Sequence, residues 1–164
     1  MAVFSVEGAV GRATRKVATS AGFRKVGPKV VPPLDKALHR LTGGRVILSR
    51  MLVPSLLLTT TGRKSGQPRE TPLACVPDDD GGWWVVGSNF GQQSHPEWTG
   101  NLIATPTATV SYGKATTAVR ADLLDDEQKA AVWPRLTAVW PAYDDYVESS
   151  GRNIRVFHLV PTPA

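Results

Sequence analysis

The sequence contains few of the residues that build disulfides or metal centres. Cys75 is the only cysteine among 164 residues, which excludes an internal disulfide and a paired-thiolate metal site. His39, His95 and His158 lie far apart and share no ligand spacing, so we expect no bound metal. Such sparse use of cysteine is typical of the reducing cytoplasm, which is the location we predict.

Long hydrophobic segments and phosphate-binding glycine motifs are also missing. No run approaches the roughly 20 apolar residues that a spanning helix needs. The first residues lack the continuous apolar core of a signal peptide. No G-x-G-x-x-G follows a predicted strand, which leaves a dinucleotide-binding fold without support.

The positive charge is concentrated in the first third of the chain. Residues 1–50 carry a net charge of +8, from ten Lys or Arg against two acids, whereas residues 51–164 carry −3, from nine against twelve. Such a basic arm predicts contact with an anionic partner, either lipid headgroups or nucleic acid. Nucleic acid is the weaker candidate because the arm lacks interleaved aromatic residues and the rest of the chain is acidic.

The basic arm is predicted to span residues 1–44 and to carry one short amphipathic helix. Gly27-Pro28 and Pro32-Pro33 interrupt the chain, and apolar residues at helical spacing then predict a helix over Leu34–Leu41 that ends at Gly43-Gly44. That helix either covers one end of the core or lies on a membrane surface. Residues 1–25 are too weakly periodic to predict a packed face.

Residues 45–164 are predicted to form one domain of short strands. The strands are expected at 55–61, 71–76, 83–88, 107–112, 116–123 and 154–160. Helices are expected from Pro96, with Ser94 or His95 as the cap, and from Asp125, the second being kinked or divided by Pro134 and Pro141. About six mostly antiparallel strands with inserted helices predict an α+β fold built on a small barrel.

The first predicted hairpin carries a concentration of positive charge at its turn. The apolar strand from Ser55 ends in a glycine-bracketed turn with Arg63, Lys64 and Arg69. A strand that brings three cations to one rim is suited to binding an anion. The alternative interpretation is a basic hairpin tip that only keeps the protein soluble.

A second candidate site follows the third predicted strand. The loop 88–91 leads into a helix on which Trp98 and Asn101 lie three residues apart on one face. A flat ring could contact the indole while the amide hydrogen-bonds a polar edge. Alternatively, Trp98 belongs to the core and Asn101 to the helix structure. No catalytic dyad or paired carboxylate is evident, and an enzyme of this kind usually depends on a cofactor.

Taken in order, these segments resemble a known family. The matching motifs are L-L-L-T-T-T-G-R-K-S-G-x-P-R-x-T-P-L at 56–73, G-S-N-x-G at 87–91 and H-P-x-W-x-x-N-L at 95–102, with a weaker match around Trp140-Pro141. The series is similar to that of the deazaflavin-dependent nitroreductases, split β-barrel proteins related in fold to flavin reductases and FMN-binding proteins. These enzymes use reduced coenzyme F-420, an 8-hydroxy-5-deazaflavin. The resemblance covers about residues 45–160.

The resemblance implies a cofactor site with three parts. Arg63 and Lys64, with the backbone amides of the next two residues, would hold the phosphodiester and the polyglutamate tail. Residues 71–73 would lie against the deazaflavin ring, and the loop and helix around 88–101 would close the pocket. The implied cofactor-binding residues are Thr61, Arg63, Lys64, Ser65, Gly66, Arg69, Thr71, Pro72, Leu73, Ser88, Asn89, Trp98 and Asn101.

The resemblance also implies hydride transfer from carbon 5 of the ring to a quinone or a nitroaromatic acceptor. The implied acceptor-binding residues are Cys75, Trp140, Tyr143 and Tyr146, and the implied proton donors are Ser88, Tyr143 and Tyr146. Cys75 replaces a common aromatic residue, Trp140 a common tyrosine, and Gln92-Gln93-Ser94 a loop that is commonly small and basic.

Two other functions stay open from the sequence. The chain could carry a deazaflavin or a fatty acyl group without turnover, or it could be a split barrel that binds flavin mononucleotide. As an enzyme, it is expected to act as a monomer or weak dimer, and its basic arm would favour the anionic inner face of the plasma membrane.

Overall fold

The computed structural model describes residues 20–41 and 53–163. Predictions that concern residues 1–19, including most of the weakly periodic segment, and the predicted helix end at Gly43-Gly44 lie outside the described residues. Four α-helices and six β-strands are described. The helices are α1 (Ala21–Leu41), α2 (Glu97–Ala104), α3 (Asp126–Val139) and α4 (Ala142–Ser150). The strands are β1 (Ser55–Thr61), β2 (Pro68–Pro77), β3 (Trp83–Val86), β4 (Thr107–Tyr112), β5 (Ala115–Leu123) and β6 (Val156–Pro161).

The six strands form a closed barrel in the order β1-β2-β3-β6-β5-β4. Every neighbouring pair is antiparallel, and β1 closes the barrel by pairing with both β2 and β4. Closure leaves no unpaired sheet edge. The predicted barrel of six antiparallel strands with inserted helices is therefore confirmed.

Two hydrophobic clusters hold the fold together. The first lies inside the barrel, where alternate residues such as Leu56 and Leu58 of β1 or Trp83 and Val85 of β3 point inward. The second lies outside it, where Trp84 and Val86 of β3 meet α3 and α4. Because β3 is buried on both faces, all four of its residues are apolar.

The predicted strand positions are close to those observed. β1 and β4 have the predicted bounds, whereas β2 is longer, at Pro68–Pro77. β3 ends at Val86, because Gly87 and Ser88 already belong to the following loop, and β6 begins at Val156 rather than at 154. β6 contributes Phe157 and Leu159 to the first cluster and Val156 to the second, so both of its faces are partly buried by apolar contacts.

Helix α1 differs most from the prediction. It runs from Ala21 to Leu41 and includes both Gly27-Pro28 and Pro32-Pro33, so the expectation that these pairs interrupt the chain was wrong. The helix lies against β2 and the short 3-10 turn at Asn89–Gly91. Such tertiary packing can outweigh unfavourable local helix propensity.

The remaining helices begin and divide close to the predicted residues, with one exception at an N-cap. The prediction that Ser94 or His95 caps α2 was wrong, because Pro96 occupies the N-cap position. Asp125 caps α3 by accepting from the Gln128 backbone at 2.8 Å. The helical segment divides at Pro141, whereas Pro134 lies inside α3. Across the described residues, none of the helices combines the length and apolar character needed to cross a bilayer.

Candidate functional site

The turn between β1 and β2, Gly62–Arg69, is called the basic turn below. It is closed by two backbone hydrogen bonds, from Gly62 N to Gln67 O at 2.8 Å and from Gly66 N to Gly62 O at 2.7 Å. Gly66 has a φ of 68°, a left-handed conformation that favours glycine. Every residue from 63 to 69 is exposed, so the turn presents its cations to solvent.

The three cations of the basic turn have different partners. Arg63 forms an ion pair with Glu97 of α2, with 2.7 Å between Nη1 and Oε2. Arg69 donates to the Ser65 hydroxyl at 3.3 Å. In the described part of the chain, no carboxylate lies within 4.0 Å of Lys64 or Arg69. The turn therefore offers two positive charges that are not neutralised by these neighbours.

Asn101 connects α2 to the basic turn. Its Oδ1 accepts from the backbone N–H of Arg63 at 3.1 Å, and its Nδ2 donates to the Thr60 hydroxyl at 3.1 Å. The side chain is buried, and Arg63 also lies against Gly100, where a Cβ would collide with its guanidinium. Arg63 and Asn101, both predicted to bind the cofactor, are thus brought together, with the amide serving to orient the turn. Direct contact between Asn101 and a cofactor stays a prediction.

The strand predicted to lie against a ring borders both the basic turn and the barrel interior. Thr71, Pro72 and Leu73 are half-buried on β2. Leu73 packs against the first cluster, which also contains Trp98, 5.7 Å from Phe157 between ring centroids. Because only 5% of Trp98 is exposed, its indole is a core group here, and its predicted contact with a ring stays untested.

The loop from Gly87 to His95, called the β3–α2 loop below, carries Ser88 and Asn89. Both are half-buried, and the Asn89 amide donates to Ser94 O at 2.9 Å. Arg152, which follows α4, holds this loop through several hydrogen bonds. Neither Arg152 nor Glu97 was identified from the sequence as a site residue. For Glu97, the only sequence feature that could have identified it is the position of an acidic residue in the first turn of α2. No feature of the neighbouring sequence identifies Arg152.

The tyrosines predicted to contact the acceptor lie in the second cluster. Tyr143 and Tyr146 are 4% and 2% exposed, with ring centroids 6.5 Å apart. Trp140 packs against the same cluster, and Phe90 of the β3–α2 loop lies 6.4 Å from Tyr146 between ring centroids. Cys75 is also buried but belongs to the first cluster, inside the barrel. The structure thus groups the three aromatic residues that were predicted to contact an acceptor, and it connects them to the loop that carries Ser88.

The electrostatic environment of Tyr143 favours its neutral form. Burial raises the pKa of Tyr143 well above its ordinary value, and the nearby Cys75 and Tyr146 add to that shift. A phenol held neutral can donate a hydrogen bond but cannot act as a base near neutral pH. Among the described residues, no group of three or more His, Cys, Asp or Glu is placed to hold a metal ion.

Helix α1 borders both groups of candidate residues. Lys36 and Arg40 both reach Glu70 of β2, with 3.5 Å and 3.0 Å between the charged atoms. The same helix lies against the 3-10 turn of the β3–α2 loop. Helix α1 therefore spans from the end of the basic turn to the loop that carries Asn89.

Comparison with protein families gives one extensive match. The family model described as F420H(2)-dependent quinone reductase matches residues 34–161. A putative F420H(2)-dependent quinone reductase of Mycobacterium tuberculosis is 33% identical over 112 residues, which cover 68% of this chain and 93% of that protein. A further F420H(2)-dependent quinone reductase from the same organism is 37% identical over 114 residues, covering 67% and 74%.

Solved structures agree with the split-barrel architecture. A structure titled F420-H2 dependent reductase (FDR-A) aligns with a TM-score of 0.60 and 34% identity, covering 65% of this chain and 93% of that one. A structure described as a domain-swapped dimer aligns with a TM-score of 0.62 and 32% identity, covering 77% and 96%. The heme storage protein HutZ of Vibrio cholerae, at 16% identity and a TM-score of 0.52 over 70% of this chain and 86% of its own, shares the fold alone.

Proposed function

The chain belongs to the F420H(2)-dependent quinone reductase family, and from this membership we propose that it transfers a hydride from reduced coenzyme F-420 to a quinone. The structural observation that carries the proposal is the exposed basic turn, where Lys64 and Arg69 have no carboxylate among their described neighbours. A carrier without turnover and a flavin mononucleotide protein are not favoured by the family match.

The residues of the basic turn fit an anionic coenzyme. Coenzyme F-420 carries a phosphodiester and glutamate carboxylates, and charge-assisted hydrogen bonds to such groups are strong. Lys64 and Arg69 would supply the charge, and the backbone N–H of Ser65 would supply a further donor. Gly66 would shape the turn, because its N–H already donates to Gly62 O at 2.7 Å. Arg63 would contribute less, because Glu97 already neutralises much of its charge.

We propose that the ring lies over Thr71, Pro72 and Leu73, where β2 is only half-buried. When bound, the reduced ring supplies a hydride from its carbon 5. The protein then has to hold donor and acceptor in close alignment and exclude water. Ser88 and Asn89 at the β3–α2 loop, with Trp98 and Asn101 behind them, are the proposed remaining cofactor residues.

The acceptor is proposed to approach the aromatic group of Trp140, Tyr143 and Tyr146, with Cys75 bordering the same region. A quinone oxygen gains negative charge during reduction, and a nearby hydroxyl donor would stabilise it. The neutral Tyr143 phenol suits that role chemically, and Tyr146 and Ser88 are the other proposed donors. Flat nitroaromatic compounds share this electrophilic character, and we propose them as a second acceptor class.

Titration with oxidised coenzyme F-420 tests the proposal directly. The five tryptophans give an intrinsic fluorescence signal, and we expect saturable quenching with a micromolar or lower Kd, whereas flavin mononucleotide should give none. Loss of the reduced-coenzyme absorbance on adding menadione should then follow Michaelis–Menten kinetics, and a nitroaromatic compound is assayed in parallel. Tight binding without turnover of any acceptor would favour the carrier function, and absence of binding would refute the proposal.

We also propose that α1 brings the enzyme to an anionic membrane surface. Val26, Val30, Leu34 and Leu41 are 53%, 51%, 44% and 83% exposed. At 100° per residue these four positions fall within an arc of about 80° on the helix. Lys25 and Lys29 are exposed beside that arc, so a basic flank borders the apolar stripe, an arrangement typical of interfacial helices. Quinones partition into lipid, so contact with the membrane would bring the enzyme close to its acceptor.

Liposome pelleting tests the membrane contact. A triple variant with Val26, Val30 and Leu34 changed to Ser should pellet less with anionic vesicles than the wild type, and salt should weaken wild-type binding. Ile103→Ser removes an equally exposed apolar residue from α2 and should have no effect. Equal pelleting of the triple variant would refute the contact.

We further propose a domain organisation, a location and an oligomeric state. Residues 1–44 are proposed to act as a basic arm on a barrel domain of residues 45–164, in a cytoplasmic enzyme that is a monomer or weak dimer. Sedimentation velocity across a range of protein concentrations tests the oligomeric state, and a stable dimer at low concentration would contradict it.

A further inference from the structure

Arg152 concentrates its hydrogen bonds on a single loop. Its Nε donates to Gln92 O at 2.9 Å, Nη1 to Gly87 O at 3.0 Å and Nη2 to Ser88 O at 2.7 Å. Nη1 also lies 3.0 Å from Nδ1 of His95. All four acceptors belong to the β3–α2 loop, so the guanidinium holds both ends of that loop at once.

In the part of the chain that the structure describes, this guanidinium forms no ion pair. Among the described residues, no carboxylate lies within 4.0 Å of Arg152. Its side chain is half-buried, and burial, followed by repulsion from Arg155, lowers the pKa of Arg152. An arginine keeps its charge despite such a shift. The position of the side chain is therefore set by the carbonyls of the loop.

The loop needs such support because its backbone is strained. Asn89, Phe90 and Gly91 have successive φ values of 47°, 53° and 75°. Left-handed conformations are unfavourable for residues with a side chain, and they persist only where the surrounding structure fixes them. Bonds from Arg152 reach Ser88 immediately before this segment and Gln92 immediately after it. Arg152 thus fixes the two points between which the strained residues lie.

His95 completes the contact in its neutral form. For Nδ1 to lie 3.0 Å from a guanidinium nitrogen, it must accept the hydrogen bond, which places the ring proton on Nε2. The charged groups that face His95 are Arg152 and Arg155, which both follow α4 in the chain. Burial, then Arg155, then Arg152 lower the pKa of His95. A second proton on the ring would turn this acceptor into a donor facing a cation.

We infer that Arg152 is a positioning residue for the cofactor site. Together with neutral His95, it holds Ser88 in place and the strained Asn89 and Phe90 in their left-handed conformations. The inference rests on the proposed function for its effect on coenzyme binding. Its structural part, the ordering of the β3–α2 loop, does not depend on which ligand the protein takes.

Two variants of Arg152 and one matched control test the inference. Arg152→Gln removes the charge and most donors, Arg152→Lys keeps the charge, and Arg120→Gln removes an exposed arginine that pairs only with Asp122 among its described contacts. Hydrogen exchange of the amides in residues 87–95 and the Kd for oxidised coenzyme F-420 are measured on folded protein. We expect about tenfold faster loop exchange and about tenfold weaker binding for Arg152→Gln.

The control and the conservative variant sharpen that expectation. Arg152→Lys should give smaller changes, while exchange in β4 and β5 should stay constant in all variants and Arg120→Gln should match the wild type. Unchanged loop exchange in Arg152→Gln would overturn the inference. If wild-type protein does not bind the coenzyme, the proposed function fails, and loop exchange still decides the role of Arg152.

A pH series gives a second test that needs no change at Arg152. As pH falls below the ordinary His value of about 6.5, protonation of His95 should lower the protection factors of the loop amides, which are exchange rates corrected for the pH dependence of intrinsic exchange. It should also weaken coenzyme binding in the wild type. His95→Asn keeps an acceptor that does not titrate, so its loop exchange should depend less on pH. The coenzyme's own titration cancels in the ratio of variant to wild-type Kd. The same pH dependence in both proteins would overturn the role of His95, and this test still applies if Arg152→Gln does not fold.

Discussion

The basic turn and the tyrosine pair of α4 are both proposed to contact ligands, yet their environments are opposite. Every residue from 63 to 69 is exposed and the turn carries three cations. Tyr143 and Tyr146, by contrast, are almost completely buried among apolar side chains of the second cluster. The basic turn is therefore accessible to a dissolved ligand, whereas the tyrosine pair is part of the hydrophobic core.

Because of this difference, the effects of substitutions in the two regions have to be interpreted differently. An exposed cation contributes little to folding, so a loss of binding on its removal can be attributed to the ligand. A buried tyrosine stabilises the fold first, and any effect on the acceptor must be separated from that contribution.

Removal of the Tyr146 side chain should be the most damaging change. Tyr146→Ala leaves a large cavity in the second cluster, and we expect the free energy of unfolding to fall by about 3–5 kcal/mol. Urea denaturation measures the loss. Tyr146→Phe keeps the packing and serves as the control for the hydroxyl. A loss of under about 1 kcal/mol for the alanine variant would show that Tyr146 is not a core residue.

Lys64 should behave in the opposite way. Lys64→Ala is expected to raise the Kd for coenzyme F-420 about 10- to 100-fold, the effect of losing a charged contact worth about 1.5–3 kcal/mol. Stability should stay unchanged. Lys114→Ala removes an exposed lysine from the β4–β5 turn and should affect neither property. Equal coenzyme binding by the two variants would place the anion site elsewhere.

Burial of Tyr143 predicts a loss of stability in alkali. Its pKa is raised in the folded protein, so the unfolded chain ionises first as pH rises above about 10. The stabilisation is complete below that value and should decline by up to about 1.4 kcal/mol per pH unit above it. Denaturation at successive alkaline pH values measures the slope, and Tyr143→Phe should show a shallower one. Identical slopes would contradict the assignment.

The smallest expected effect is a gain of binding. Glu97→Gln removes the carboxylate paired with Arg63 and leaves that cation available to an anion. Exposed ion pairs are worth about 0.2–1 kcal/mol, so the Kd for the coenzyme should fall by a factor of about 1.4 to 5. Glu127→Gln, at the start of α3, is the matched control. A weaker-binding Glu97→Gln variant would mean that the ion pair orients Arg63 for the ligand.

The fold was predictable to the extent that it depends on local pattern. Alternation and turn residues gave the bounds of β1 and β4 and the approximate start of α3. The course of α1 was not predictable, because its prolines are unfavourable locally and its ion pairs with Glu70 are distant in sequence. The break at Pro141 begins a new helix, in which Tyr143 and Tyr146 share a face.

By itself, the sequence determined a barrel of short strands, a basic turn and the family to which the chain belongs, because these depend on neighbouring residues and contiguous motifs. Only the tertiary structure decided which cations stay available and what holds the strained loop. Glu97 lies 34 residues from Arg63, and the acceptors of Arg152 lie 57 to 65 residues from it. Contacts at such separations exist only once the barrel has closed and the helices have packed against it.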